Sequence, residues 1–115
     1  MLNIEIEKRK KILCDAVNKL LIVKLKYGED KIHWRTYEPQ AVFTSTADNI
    51  DVTGIQTKDS AKPFDVKRKV RNFTLSKITA LEITDDHFQY DPTFDPRHKR
   101  FANGIFCCIK PPKIG

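Results

Sequence analysis

Apolar positions recur at helical spacing near the start of the chain and then switch to alternation. Leu13, Ala16, Val17, Leu20 and Leu21 fall on one face of a helical wheel, with Lys8, Lys11, Asp15 and Asn18 elsewhere. Asn3 is a capping residue by type, and Glu5 and Glu7 suit the positive end of the helix dipole. The spacing predicts one helix over about 4–20. Leu21, Val23, Leu25 and Tyr27 then alternate with Ile22, Lys24 and Lys26, a first strand that stops at the hairpin signal Gly28-Glu29-Asp30.

A second strand runs from Ile32 to Glu38, with His33, Arg35 and Tyr37 on one face and Ile32 and Trp34 on the other. Pro39 cannot donate to a ladder, so a bend or interruption is expected there before Ala41–Thr44 resumes. Ser45–Asn49 reads as a polar turn and Ile50–Thr57 as a third strand, with Gly54 marking a bulge where the parity changes. Lys58–Lys69, which holds Pro63 and a run of charges, reads as a mobile loop. Val70–Leu75, a corner at Ser76-Lys77, and Ile78–Thr84 supply two more strands. A helix followed by five short antiparallel strands predicts a mainly β fold. The expected form is a small, strongly bent sheet closed into a barrel, with the helix plugging or flanking it.

Beyond Thr84 no clear period survives. Phe88, Tyr90 and Phe94 are placed to pack back on the sheet. The apolar run Gly104–Ile109 is either one more strand or a contact with another chain.

Composition narrows the picture. A chain of 115 residues that is 40% hydrophobic supports one domain with one modest core. No apolar run reaches membrane-spanning length, and MLNIEIEKRKK lacks the apolar centre of a secretion signal. Cys14, Cys107 and Cys108 are an odd count without metal-type spacing, and adjacent cysteines rarely bridge each other. The expectation is free thiols in a reducing, cytoplasmic setting. A net charge of +6 leans toward anionic partners.

The fourth strand carries the functional clue. Arg71 shares its parity with Phe73 and Leu75, so a permanent charge rides on the face that otherwise looks inward. It must meet a carboxylate, the rim of the core, or a guest anion. Arg35 and Lys77 complete the expected anion site, with Tyr37 to stack or hydrogen-bond a base and Arg68 and Lys69 as outer steering charges. The competing reading pairs Arg71 with Glu38 or Glu82 and leaves the basic runs solvated. Asp85, Asp86, His87, Asp91 and His98 have neither calcium-loop nor zinc spacing. No phosphate-binding loop, nucleophile elbow or triad order is present, so neither a metal nor a cofactor nor catalysis is expected.

The order of these pieces resembles the WYL domain family. Arg35 with Glu38-Pro39, the strand Ile50-Asp51-Val52, and the run Arg71, Phe73, Leu75, Lys77, Ile78 carry the likeness. Thr79–Thr84 and Phe94-Asp95-Pro96 fit the family's exit from its barrel, so the resemblance covers about residues 9–96. The naming tripeptide falls at Ile50-Asp51-Val52, without its Trp and Tyr, and Thr74 and Ser76 stand where the family has Arg and Asp. The resemblance implies an Sm/SH3-like barrel over residues 1–96 and a C-terminal extension over 97–115. It implies a bacterial, non-enzymatic regulatory module that senses a nucleotide or single-stranded nucleic acid. Such a module would be stand-alone or excised here, with any transcriptional output expected from another chain, a DNA-binding partner protein. The alternative is a protein-interaction module in which the barrel edge and the Ile105–Ile109 run make a homodimer or dock a regulator, and the basic residues are only a solvated surface.

Overall fold

The computed structural model describes residues 3–111. It holds a helix, α1 (Ile4–Lys19), and six strands. These are β1 (Leu21–Tyr27), β2 (Asp30–Thr44), β3 (Ile50–Asp59), β4 (Lys69–Thr74), β5 (Ile78–His87) and β6 (Ile105–Cys108). The Asn3 side chain accepts from the Glu5 and Ile6 amides, satisfying two donors that α1 cannot pair internally. Leu20 ends α1 in a left-handed conformation (φ 56°), and its N–H returns to the carbonyls of Ala16 and Val17. Leu13, Ala16 and Val17 are the fully buried stripe of the helix.

All pairings are antiparallel, in the order β4-β3-β2-β1-β5, with β6 beside β2. One sheet thus has six strands rather than the expected five, because the Gly104–Ile109 run pairs with Ala41–Phe43. The two ends of the order, β4 and β5, are joined by a single 3-10 turn, Leu75–Lys77. Arg9 of α1 donates to the Leu75 carbonyl at 3.0 Å and fastens the helix to that turn.

Pro39 does not interrupt β2. The strand changes partners around it, pairing with β1 up to Tyr37 and with β6 from Ala41. A residue with no N–H falls in the gap between the two ladders, where nothing on that flank asks for one. The bulge also differs from expectation. The residue inserted between the Pro39–Gly54 and Ala41–Thr53 pairs is Gln40 of β2, opposite Gly54. Gly54 is instead fixed by crowding: a side chain there would overlap the Glu38 carbonyl and lie 2.8 Å from the Tyr37 ring.

Inside the sheet, Leu13, Val23, Leu25, Tyr37, Val42, Val52, Phe73, Leu75 and Ile78 form the main core. Residues after His87 cover the outer face of β2, where Phe101 packs edge-on to Phe43 at 4.9 Å between ring centres. Phe88 and Ile109 pack against Val17. Phe88, Tyr90 and Phe94 thus pack back on the sheet as expected, and the part of the 97–115 extension that is described joins the same body. Residues 112–115 lie outside the described range.

A further expectation is corrected. Cys14 and Cys107 form a disulfide between α1 and β6, with Cα atoms 5.6 Å apart, leaving Cys108 free and half-buried. Three free thiols were expected from the odd count and from the adjacent Cys107-Cys108; the two that pair lie 93 residues apart in sequence. The loop after β3 is anchored at its first residue. Ser60 donates its N–H to the Trp34 carbonyl and accepts the Trp34 N–H on its hydroxyl, both at 2.9 Å.

Candidate anion-binding cleft

Arg35 sits on the inner face of β2, opposite Leu25 of β1 and Asp59 of β3. Its guanidinium reaches past the core edge, 5.5 Å above the Phe73 ring, and donates to Gln56 Oε1 at 2.9 Å. Gln56 is buried and neutral, so Arg35 is oriented there without being neutralised. On β4, Phe73 fills the core and Arg71, two residues earlier, emerges exposed at the rim opposite Gly54. Among the described residues neither guanidinium has a carboxylate within 4 Å. Neither Glu38 nor Glu82 pairs with Arg71, against the competing reading.

Arg35 and Arg71 open into one cleft of about 270 Å³. Lys58, Lys62, Lys67 and Lys69 also line it, against the acids Asp30, Asp59 and Asp65. Two of those acids are already engaged. Asp65 takes Lys69 at 2.7 Å, and that bond holds its carboxyl below the usual range. Asp30 accepts from the His33 and Ile32 amides, which lower it in the same way. What remains is a concave, water-accessible surface with a surplus of cations, two of them planar forks suited to paired phosphate oxygens.

The other expected site residues are placed differently. Tyr37 is fully buried, so no ring face is open to a base. Its hydroxyl donates to the Arg71 carbonyl at 2.7 Å, which fixes the β4 backbone beneath Arg71. Burial, with the Asp51 charge adding to it, pushes the phenol well above its ordinary range and keeps it a donor. Lys77 lies in the turn between β4 and β5, outside the cleft, where its charge acts on Asp51. Arg68 turns away as well and grips Glu38 with both terminal nitrogens, at 2.6 and 3.1 Å. That bond holds the guanidinium still more firmly protonated.

Consecutive residues in extended chain point to opposite sides, and the Lys67-Arg68-Lys69 run divides that way. Lys67 and Lys69 line the cleft, while Arg68 closes on an acid. Lys58, near the end of β3, and Lys62, in the loop after it, were not singled out from sequence, where they were only part of a charged run. Among the described residues no three His, Cys, Asp or Glu side chains converge as metal ligands. No helix of the described residues is long and apolar enough to cross a membrane. Compared with protein-family models, with curated proteins and with solved structures, the chain finds no match.

Proposed function

We propose that the chain is a non-enzymatic, WYL-like sensing module that binds a phosphate-bearing ligand, a nucleotide or single-stranded nucleic acid, in the Arg35–Arg71 cleft. One observation carries this reading: two arginines leave the inner face of the sheet at the same opening, and no acid of the described chain meets either. Keeping like charges close together costs free energy, and a bound anion removes that cost. The Sm/SH3-like barrel belongs to the same proposal. It is supported by the bulged β2–β3 pairing and by the short turn that brings the ends of β4 and β5 together. A cytoplasmic setting follows from the ligand class alone, since the Cys14–Cys107 bond removes the thiol argument for it.

The interaction-module reading rests on the sheet edge and the Ile105–Ile109 run, and the run is covered in part, with Phe106 exposed. β6 is hydrogen-bonded to β2, and Ile109 is buried with its N–H on the Gln40 carbonyl. The test is a salt series with a labelled oligo-dT strand, read by fluorescence anisotropy. Two to four phosphate contacts predict a log–log slope of roughly −1.5 to −3 for single strands. Absence of binding at low salt, or an affinity indifferent to salt, would sink the proposal.

A further inference from the structure

Trp34 and Arg35 are neighbours in sequence and stand on opposite faces of β2. Arg35 lines the cationic cleft; Trp34 lines a second cavity of about 520 Å³ on the outer face, a size that takes a small organic ligand. Pro63 and Val66 of the loop form its apolar side, with Thr36 and Lys24 from the strands. Lys26 lies over the Trp34 ring at 4.6 Å from its centre. The two cavities share Lys58, Asp59, Lys62 and Asp65 as walls; Asp65 is held by Lys69, so Lys58 and Lys62 are the cations of a mixed rim between them. Ser60 holds the Trp34 backbone through two hydrogen bonds, which fixes that rim to the strand beneath it.

We infer that the ligand is a single strand of several nucleotides that straddles this rim. One base stacks on Trp34 in the outer cavity while the backbone phosphates cross Lys58 and Lys62 into the Arg35–Arg71 cleft. This rests on the anion-binding reading of the cleft and adds the base-reading half that Tyr37, sealed in the core, does not supply. Cation-lined grooves flanked by an accessible aromatic ring are the general form of single-strand sites, and stacking tolerates any base. A mononucleotide carries its phosphate on a single residue, whereas a strand presents a row of phosphates to the cleft, so the proposal separates a strand from a free nucleotide.

Trp34 is the sole tryptophan of the chain, so its emission reports on the outer cavity directly. Titration with a short oligo-dT strand should quench it, whereas an abasic strand of equal length should bind with little quenching. Trp34→Ala should weaken oligo-dT binding about tenfold and leave the abasic strand unaffected, as expected for one lost stacked base. Trp34→Phe should restore most of the affinity, which guards against a variant that fails to fold. If Trp34→Ala binds oligo-dT as tightly as the parent, or weakens both strands equally, the stacking subsite is wrong and the cleft reading stands. If the parent binds neither strand, the cleft reading fails first and takes the subsite with it.

Discussion

Residues 30–36 and 37–43 of β2 differ in what surrounds them. The first stretch pairs with β1, is only partly covered, and delivers Asp30, Trp34 and Arg35 to solvent-facing cavities. The second pairs with β6 over Ala41–Phe43 and is buried on both faces, by the main core within and by Phe101 and the residues around it without. Each stretch carries a site for a guanidinium. In the sealed stretch Glu38, whose side chain is 11% exposed, receives Arg68 in a two-point ion pair. In the open stretch Arg35 meets only an uncharged amide. A basic residue is therefore informative by its partner rather than by its charge. The +6 balance of the chain would not have separated these two cases.

The largest test strikes what the two stretches share. Phe73 is 3% exposed, touches Tyr27 and Tyr37, and lies beneath the Arg35 guanidinium. Phe73→Ala should cost about 3–5 kcal/mol of stability in urea denaturation, as a buried aromatic truncation. Oligonucleotide binding should weaken as well, because Arg35 loses the ring below it. A neutral midpoint would mean that the core does not extend under the cleft.

Next in size is a change confined to the sealed side. Cys14–Cys107 closes a span of 93 residues and ties α1 to β6. Reduction with dithiothreitol, or Cys14→Ser, should lower stability by about 2–4 kcal/mol. The affinity of the remaining folded protein for oligo-dT should stay the same. Loss of binding in step with loss of the bond would show that the two stretches are coupled after all.

A pair of arginines three residues apart sharpens the contrast further. Arg71→Ala should leave stability nearly unchanged and weaken the phosphate ligand by about 1.5–3 kcal/mol, the range for a charge-assisted hydrogen bond. Arg68→Ala should do the reverse. It strands the Glu38 carboxylate, yet the arginine itself is 61% exposed, so about 1 kcal/mol of stability is expected rather than the full cost of a broken buried pair. Equal losses of binding in the two variants would erase the distinction drawn here.

Much of this was legible in the chain because alternation is a strong signal. Parity alone put Arg35 with Tyr37 and Arg71 with Phe73, and antiparallel pairing then brought both arginines to one opening. Depth along a strand is not encoded by parity, so Tyr37 was expected at the surface although Gly54 and the Arg71 carbonyl draw it inward. The direction of Arg68 depended on the fold of a nine-residue connection, 60–68, and on Glu38 being half-sealed by it. Cys14 and Cys107 could not be paired without knowing that β6 returns beside α1. Trp34 was passed over because it alternates to the face away from the core, where neither propensity nor parity marks a cavity.

The smallest expected effect comes from Asp51, at the position where the naming tripeptide falls. Its Oδ1 is buried and has no hydrogen-bond partner among the described residues. Burial raises its carboxyl above the ordinary value, while the Thr74 hydroxyl and the Lys77 charge pull the other way without prevailing. A folded-state value above the unfolded one means that the native protein holds the proton longer. Stability from this group is therefore present below the unfolded value and is lost as pH rises through the folded one. Asp91 runs opposite: Thr93, Gln40 and the Arg68 charge hold it low, so its contribution is present above the unfolded value and lost on acidification. Asp51→Asn isolates the first term. The variant should match the parent in strong acid, where Asp51 is protonated in both states, and exceed it at neutral pH. A difference profile flat with pH would mean that this carboxylate is hydrated, and that the far end of β3 is as open as the cleft.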